Sequence, residues 1–258
     1  AEHRVVAAGS TLRNELGQPL DVLVDGTLTI EDGAMIDVSA RGYAADVTHP
    51  DAGLGGIDSG GSHLGRGGLG GGSTYGSLYR PQEAGAGGRS SSGKRGGGGV
   101  RIVADSLRLN GNPDTPAIRA NGGNRTSSSS RGAAGGSIWI TAPEILGQRP
   151  IEARGGTSGG SSRGSGGGGA ITIESNVVDP SVYSARSWGG TTSQVGGAGS
   201  VWITYPGDTE GEGVVVFAND GRGKTTELPS LGSGVAQAGS GLVDGLGVER
   251  LQFAGDGF

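Results

Sequence analysis

The chain has 258 residues, of which 59 are glycine and none is cysteine, and its formal net charge is −5 at pH 7. The missing cysteines exclude disulfides, thiolate chemistry and cysteine-based zinc sites, and the acidic balance argues against a nucleic-acid partner because phosphate binding needs a basic surface. Hydrophobic residues make up only 33% of the chain, so any core must be thin. No apolar run reaches the 18 residues that a membrane-spanning helix needs.

Five similar units follow one another along the chain: 23–43, 100–123, 137–156, 170–190 and 200–221. The last four open on a glycine tract and a strand-like run, as in "GGSIWIT", and aligning Val100, Ser137, Ala170 and Ser200 gives spacings of 37, 33 and 30 residues. A glycine-rich insertion fills 44–99, and a further strand is expected within 222–258. Self-similarity at a period of some tens of residues is typical of repeat architectures.

Within each unit apolar and polar residues alternate, which predicts strands with one buried face. The inward residues of the last four units are aliphatic: Ile102, Ile138, Ile140, Ile171, Ile173, Val201 and Ile203. No helical apolar stripe persists. We therefore predict an all-β fold, a β-solenoid (parallel β-helix-like) of about five irregular coils with long glycine-rich loops and with polyglycine II segments as an option, in a single repetitive domain over 1–258. A glycine-rich β-sandwich and a mostly disordered chain are the alternatives.

Five aromatic side chains are the predicted contact residues: Trp139, Trp188, Trp202, Tyr75 and Tyr79. Trp139 and Trp202 occupy matched positions in related units, so outward-facing rings in register could stack on sugars or on another protein chain. The alternative is that glycine-rich loops fold back over these rings and form a second thin core.

No residue pattern points to catalysis. Four acidic residues fall about one per unit, as solvent-facing positions would: Asp105, Glu144, Glu152 and Glu174. The stretch 49–63 contains four potential metal ligands: His49, Asp51, Asp58 and His63. A polar loop with turn-forming aspartates is favoured for this stretch over a cation site. We predict no enzyme activity and no cofactor, and leave open calcium held by loop carboxylates and carbonyls.

The stretch "YGSLYRPQEAGAGG" (75–88) and the "GGGGVRIVADSLRLNG" (96–111) that follows it resemble the glycine-rich repeat regions of large secreted bacterial surface proteins. The matching residues of the first element are Tyr75, Gly76, Leu78, Tyr79, Pro81, Glu83 and Gly85, and those of the second are Gly98, Gly99, Ile102, Ala104, Leu107, Leu109 and Gly111. The resemblance spans about 23–230. It implies an exported, repetitive surface or matrix protein and supplies no catalytic residues.

The predicted function is a non-enzymatic extracellular structural protein, a surface or filament-forming element that self-associates. Stacked sheets end in unpaired N–H and C=O groups that template further pairing, and no capping helix is evident. The alternative is an adhesin or carbohydrate-binding module that holds a glycan with outward aromatic and arginine residues. The first residues, "AEHRVVAAGS", read as a mature amino terminus, which favours a secreted, extracellular or cell-surface location.

Overall fold

The computed structural model describes residues 2–177, 179, 182–192, 194–207, 213–219 and 250–254. Within these residues the chain forms sixteen β-strands and no α-helix. The strands are β1 Glu2–Val6, β2 Thr11–Leu12, β3 Leu20–Leu23, β4 Gly26–Ile30, β5 Met35–Asp37, β6 Gly99–Val103, β7 Ser106–Leu109, β8 Ile118–Arg119, β9 Ser137–Thr141, β10 Glu144–Leu146, β11 Ile151–Glu152, β12 Ala170–Glu174, β13 Ala185–Arg186, β14 Ser200–Thr204, β15 Val214–Ala218 and β16 Arg250–Ala254.

The strands divide among three sheets. The four-stranded sheet has the order β1-β4-β7-β10, the five-stranded sheet β13-β11-β8-β5-β2, and the seven-stranded sheet β16-β15-β14-β12-β9-β6-β3. Every pair is parallel except β14 with β15, which is antiparallel. Neighbouring strands of a sheet are mostly supplied by successive repeats, so the alternation read from the sequence places equivalent side chains side by side.

The repeats are in register at the seven-stranded sheet, although the sequence alignment is wrong by one residue in the first of them. Ser137, Ala170 and Ser200 are paired as expected, but their partner on β6 is Gly99 and not Val100. A slip of one residue turns every side chain of a strand to the other face. The observed pairing instead keeps Val100 buried, which shows that the glycine tract runs one residue into the strand.

One apolar core is shared by all three sheets. The seven aliphatic residues predicted to face inward are confirmed as buried. Ile30 from the four-stranded sheet and Ile118 from the five-stranded sheet complete the same cluster. Complete burial of such a side chain contributes about 1.5–3 kcal/mol, so a narrow aliphatic column can stabilise a chain that is poor in hydrophobic residues.

Glycine-rich segments outside the strands form three packed rows beside the sheets, which we call the glycine layer. The outgoing row follows the five-stranded sheet and consists of 120–123, 153–156 and 187–190. The returning row leads into the seven-stranded sheet and consists of 96–98, 132–136, 164–169 and 196–199. The outer row comes from the insertion and consists of 60–68 and 85–88. Gly136 in the returning row donates to Ala120 in the outgoing row, at 2.7 Å. Gly168 accepts from Gly65 in the outer row and donates to Gly197 within its own row, both at 2.9 Å.

The returning row hydrogen-bonds in several directions at once. Four successive amides reach three different neighbours: Gly166 donates to Gly156, Gly167 to Gly61, Gly168 to Gly197 and Gly169 to Ala153. The first and the last reach the same segment, 153–156, so the pattern repeats every three residues, the period of a polyproline II-type helix. A Cβ atom at Gly167 would overlap the carbonyl of Gly65. Glycine is required here because the backbones approach too closely for a side chain.

The predicted fold class, a β-solenoid of about five irregular coils with long glycine-rich loops, is wrong. The structure instead contains three layered sheets of mostly parallel strands. The unit predicted at 200–221 does not form a further coil, because β15 turns back and pairs antiparallel with β14. The glycine-rich segments are not loops either, since they bond to one another in the glycine layer. The predicted strand within 222–258 corresponds to β16, while 220–249 lies outside the described residues.

A buried arginine that sequence reasoning missed, Arg149, links the segments that connect the four-stranded sheet to the five-stranded sheet. Arg149 is 1% exposed, and burial lowers the pKa of its guanidinium. The guanidinium donates to five backbone carbonyls at 2.7–3.0 Å: Glu31, Ala34, Asn110, Thr115 and Pro116. Its five N–H donors thus satisfy backbone carbonyls that lie outside the strands in two successive repeats.

Substituting a glycine of the returning row should destabilise the protein far more than substituting an exposed one. Gly167→Ala places a methyl group against the carbonyl of Gly65, and overpacking of this kind costs about 1–3 kcal/mol or more. We expect the midpoint of thermal unfolding, followed by circular dichroism, to fall by about 2 °C or more. The control is Gly56→Ala, where a Cβ meets no atom within 4 Å. Equal midpoints for the two variants would contradict a close-packed layer.

Candidate functional site

The segment 75–84, which we call the cover segment, lies across the outer face of the seven-stranded sheet. The Ser137 hydroxyl on β9 donates to the Glu83 carbonyl at 2.6 Å, and the Thr172 hydroxyl on β12 donates to the Leu78 carbonyl at 3.1 Å. The Tyr75 hydroxyl donates to the Ala84 carbonyl at 2.7 Å, which closes the segment on itself. Side chains on the strands therefore satisfy the backbone of the cover segment.

Trp202 lies beneath the cover segment. Its side chain is 2% exposed, and its ring meets the Tyr79 ring edge-on, with the centroids 4.9 Å apart. Both belong to a second apolar cluster, separate from the main core, with Leu64, Leu78, Ala170, Val215 and Phe217. This is the arrangement that the sequence left as the alternative, in which glycine-rich chain folds back over an outward aromatic residue.

Trp139 and Trp188 are partly exposed, and arginines lie against both rings. The Arg101 guanidinium lies 4.6 Å from the Trp139 ring centroid, and the Trp139 indole N–H donates to Glu174 at 2.9 Å. Arg186 lies 5.4 Å from the Trp188 ring centroid. The two tryptophans belong to different sheets, because Trp139 lies on β9 and Trp188 follows β13. The structure does not bring them together, and their role as contact residues stays a prediction.

Tyr75 lies between two histidines, His49 and His63, with both centroid distances at 5.1 Å. Burial raises the pKa of Tyr75 well above its ordinary value. His63 is completely buried, and neither of its ring nitrogens has a hydrogen bond of good geometry. Burial lowers the pKa of His63 to about 4, although Glu83 and the nearby backbone of Gly135 oppose the shift. His63 is therefore neutral at physiological pH.

A cleft of about 420 Å³ opens beside the cover segment, where it meets the chain between β5 and the insertion. Its charged and aromatic side chains are Arg41, Tyr43, His49, Glu83 and Arg95. Glu83 accepts the backbone N–H groups of residues 77 and 82, at 3.3 and 3.1 Å. Burial, and then the charge of Glu83, raise the pKa of Tyr43. The cleft thus combines two cationic groups, one carboxylate and two rings.

Sequence reasoning missed this cleft. Its charged residues come from three places in the chain, which are joined by hydrogen bonds to glycine backbone. The Gly42 N–H donates to the Gly96 carbonyl at 2.7 Å, and the Tyr43 N–H donates to the Gly85 carbonyl at 3.2 Å. The one available signal was the presence of arginines next to glycine, as in "SARGY" and "GKRGGGG".

The four potential metal ligands of 49–63 do not assemble. His49 Nδ1 lies 3.7 Å from Asp51, but Asp58 pairs with Arg131 and, at 2.7 Å, with Arg163. Within the part of the chain that the structure describes, no group of three or more histidines and carboxylates is suited to hold a metal ion. The expectation of no cofactor, with calcium left open, stays a prediction.

The candidate acids are also dispersed. Glu144 lies in the four-stranded sheet and accepts from the Ser106 hydroxyl at 2.8 Å. Glu152 lies in the five-stranded sheet and pairs with Arg154 at 3.2 Å. Glu174 lies in the seven-stranded sheet. Three of the four acids thus belong to three different sheets, and each has its own hydrogen-bonding or ionic partner.

Comparison with protein-family models, with curated proteins and with solved structures finds no match to this chain. The resemblance to glycine-rich regions of secreted bacterial surface proteins therefore stays a prediction. Among the described residues, no helix has the length and apolar character needed to cross a bilayer.

The pKa of His63 predicts a loss of stability in mild acid. The unfolded chain protonates this histidine near pH 6.5, whereas the folded protein protonates it only near pH 4. The unfolded state therefore takes up a proton first, and the free energy of unfolding falls as the pH drops between these values, by about 3 kcal/mol at most. His63→Gln should flatten this part of the profile measured by urea denaturation. His3→Gln, at an exposed position on β1, is the control, and a profile unchanged by His63→Gln would refute the assignment.

Proposed function

We propose that this chain is a non-enzymatic structural element of an extracellular surface or filament. The observation that supports the proposal best is the glycine layer, in which a single segment, 164–169, bonds to neighbours in all three rows. A strand in a sheet is held by two neighbours in one plane, whereas this segment is held from several directions. Its local opening must break all of these contacts together, so its opening free energy should approach that of global unfolding.

The distribution of polar groups also supports a structural role. Three of the four candidate acids, Glu144, Glu152 and Glu174, lie on three different sheets and each has a partner, so these three carboxylates are not placed together for acid and base chemistry on one substrate. The five-stranded sheet carries a ladder in which Asp37, Arg119, Glu152 and Arg186 occupy equivalent register positions. Charges of alternating sign on adjacent strands stabilise the stacking of repeats. These polar residues therefore hold neighbouring strands together.

Trypsin provides a direct test because the glycine tracts contain many arginines. A flexible glycine-rich loop would be cut rapidly at Arg131 and Arg154, which flank glycines of the returning and outgoing rows. In a packed layer these bonds should survive until the whole protein unfolds, because proteases cut opened segments. Arg125, exposed at the tip between two rows, should be cut before either of them. Mass spectrometry of a time course identifies the sites, and early cleavage at Arg131 and Arg154 would overturn the proposal.

Self-association is the second part of the proposal. β1, β2 and β3 each form the edge of their sheet, and an unpaired edge is a template for pairing with another chain. Leu23 on β3 is 67% exposed, so an apolar side chain accompanies the free backbone groups. Filament formation by this route places a strand of a second copy beside β3.

We expect Leu23→Lys to reduce association, because charged residues on an edge strand oppose pairing. The matched control is Ile57→Lys, since Ile57 is also 67% exposed but belongs to no strand. Sedimentation velocity over a range of concentrations measures the effect. A chain that remains monomeric at high concentration, or variants that behave alike, would remove self-association at β3 from the proposal.

A further inference from the structure

We propose that the cleft beside the cover segment binds an acidic saccharide, with the carboxylate of a uronic acid between Arg41 and Arg95. Two arginines and one glutamate line the cleft, so its own charge is positive in a protein whose net charge is −5. A volume of about 420 Å³ lies within the range of small-ligand sites, about 300–1,000 Å³. The site is distinct from the tryptophan surfaces and does not depend on the structural role.

The two arginines differ in how they are held. Arg95 Nη2 donates to the Gly42 carbonyl at 2.8 Å, which positions its guanidinium at the cleft. Among the described residues, no ion pair or side-chain hydrogen bond engages Arg41, which is half-buried at the cleft wall. An arginine that has no partner among the described residues and lies at the wall of a cleft favours an anionic ligand, and carboxylates accept two parallel N–H bonds from arginine.

The remaining lining groups suit a molecule rich in hydroxyls. Glu83 accepts hydrogen bonds, and the amides of Gln18 and Gln82 can donate and accept them. Tyr43 is half-buried and offers both a ring face and a hydroxyl, the combination with which proteins contact sugars. A simple inorganic anion would use the arginines but leave these groups without a partner.

The walls of the cleft are already fixed by backbone hydrogen bonds. Gly42 donates to Gly96 at 2.7 Å, and Gly85 donates to Gly97 at 2.9 Å. The backbone that carries Arg41 and Arg95 therefore belongs to the rigid edge of the glycine layer. A site with fixed walls loses little conformational entropy when a ligand binds.

Basic residues are also frequent in the glycine tracts next to the cleft. Between Glu83 and Asp105, Asp114 and Glu144, and Glu152 and Glu174 the chain contains nine arginines and lysines and no acidic residue. Five of the nine are paired with carboxylates from elsewhere in the chain: Arg89 with Asp46, Arg119 with Asp37, Arg131 and Arg163 with Asp58, and Arg154 with Glu152. Arg95 lines the cleft, so the positive charge offered to a ligand there is that of Arg41 and Arg95. A saccharide that carries carboxylates is the class of partner that fits these two groups.

The test is isothermal titration of the intact chain with trigalacturonate and with maltotriose, a neutral trisaccharide. We expect trigalacturonate to bind and maltotriose not to bind. Arg41→Gln should weaken trigalacturonate binding about tenfold or more, because a charge-assisted hydrogen bond is lost. The Arg41 side chain makes no hydrogen bond or ion pair within the described residues, so the Arg41→Gln variant should unfold at the same thermal midpoint as the unmodified protein. Gln18→Ala is a second variant at the wall and should also weaken binding.

The matched control is Arg108→Gln, an exposed arginine on β7 that does not line the cleft. It removes the same charge and should change the affinity about twofold or less. The proposal is overturned if trigalacturonate does not bind, if maltotriose binds as tightly, or if Arg41→Gln and Arg108→Gln weaken binding equally. Equal affinity for an oligonucleotide of matched charge would also overturn it, because charge alone would then account for binding.

Discussion

The close approach of backbones in the glycine layer is the constraint on which the rest of the structure depends. At Gly167 a single methyl group would overlap a neighbouring carbonyl, so the rows can form only where side chains are absent. Glycine contributes almost no apolar area, and the stability of the layer must come from hydrogen bonds made in several directions. The layer therefore solves the problem set by the composition, since a chain that is 33% hydrophobic needs order that does not depend on a thick core.

Exclusion of side chains from the layer determines where the other residues lie. The aliphatic residues form the column inside the sheets, and Trp202 lies on the outer face of the seven-stranded sheet, where Tyr79 covers it. Arginines and serines fall at the tips between rows, where Arg131 pairs with Asp58 and contacts Ser92 at 2.7 Å. The pairing of these arginines with carboxylates from other parts of the chain is thus a consequence of how the tracts pack.

Local patterns predicted part of this fold. The alternation in "SIWIT" and "AITIE" identified strands and their buried faces, because period-two burial depends only on the strand itself. The antiparallel turn to β15 and the order of the glycine tracts were not predictable in the same way. Glycine has no side chain to mark its partner, so bonds such as Gly65 to Gly168 leave no trace in the residue pattern. The matched positions of Trp139 and Trp202 were recognisable because they lie in the repeated strand pattern. The cover over Trp202 and the cleft built from Arg41, Glu83 and Arg95 were not, because glycine contacts bring those segments together.

Glu83 connects the structural and the binding proposals. Its carbonyl accepts from Ser137 at the outer face of the sheet, while its carboxylate lines the cleft and acts on the pKa of the buried His63. The backbone bond holds the carboxylate at the cleft, and the completely buried His63 lies where the cover segment meets the outer row. Protonation of His63 would place a charge among Tyr75, Leu64 and the returning row, where burial strongly disfavours it. Loosening the cover in acid would therefore disturb the cleft as well. One short segment, 75–84, both covers the sheet and supplies the only carboxylate among the described residues that line the cleft.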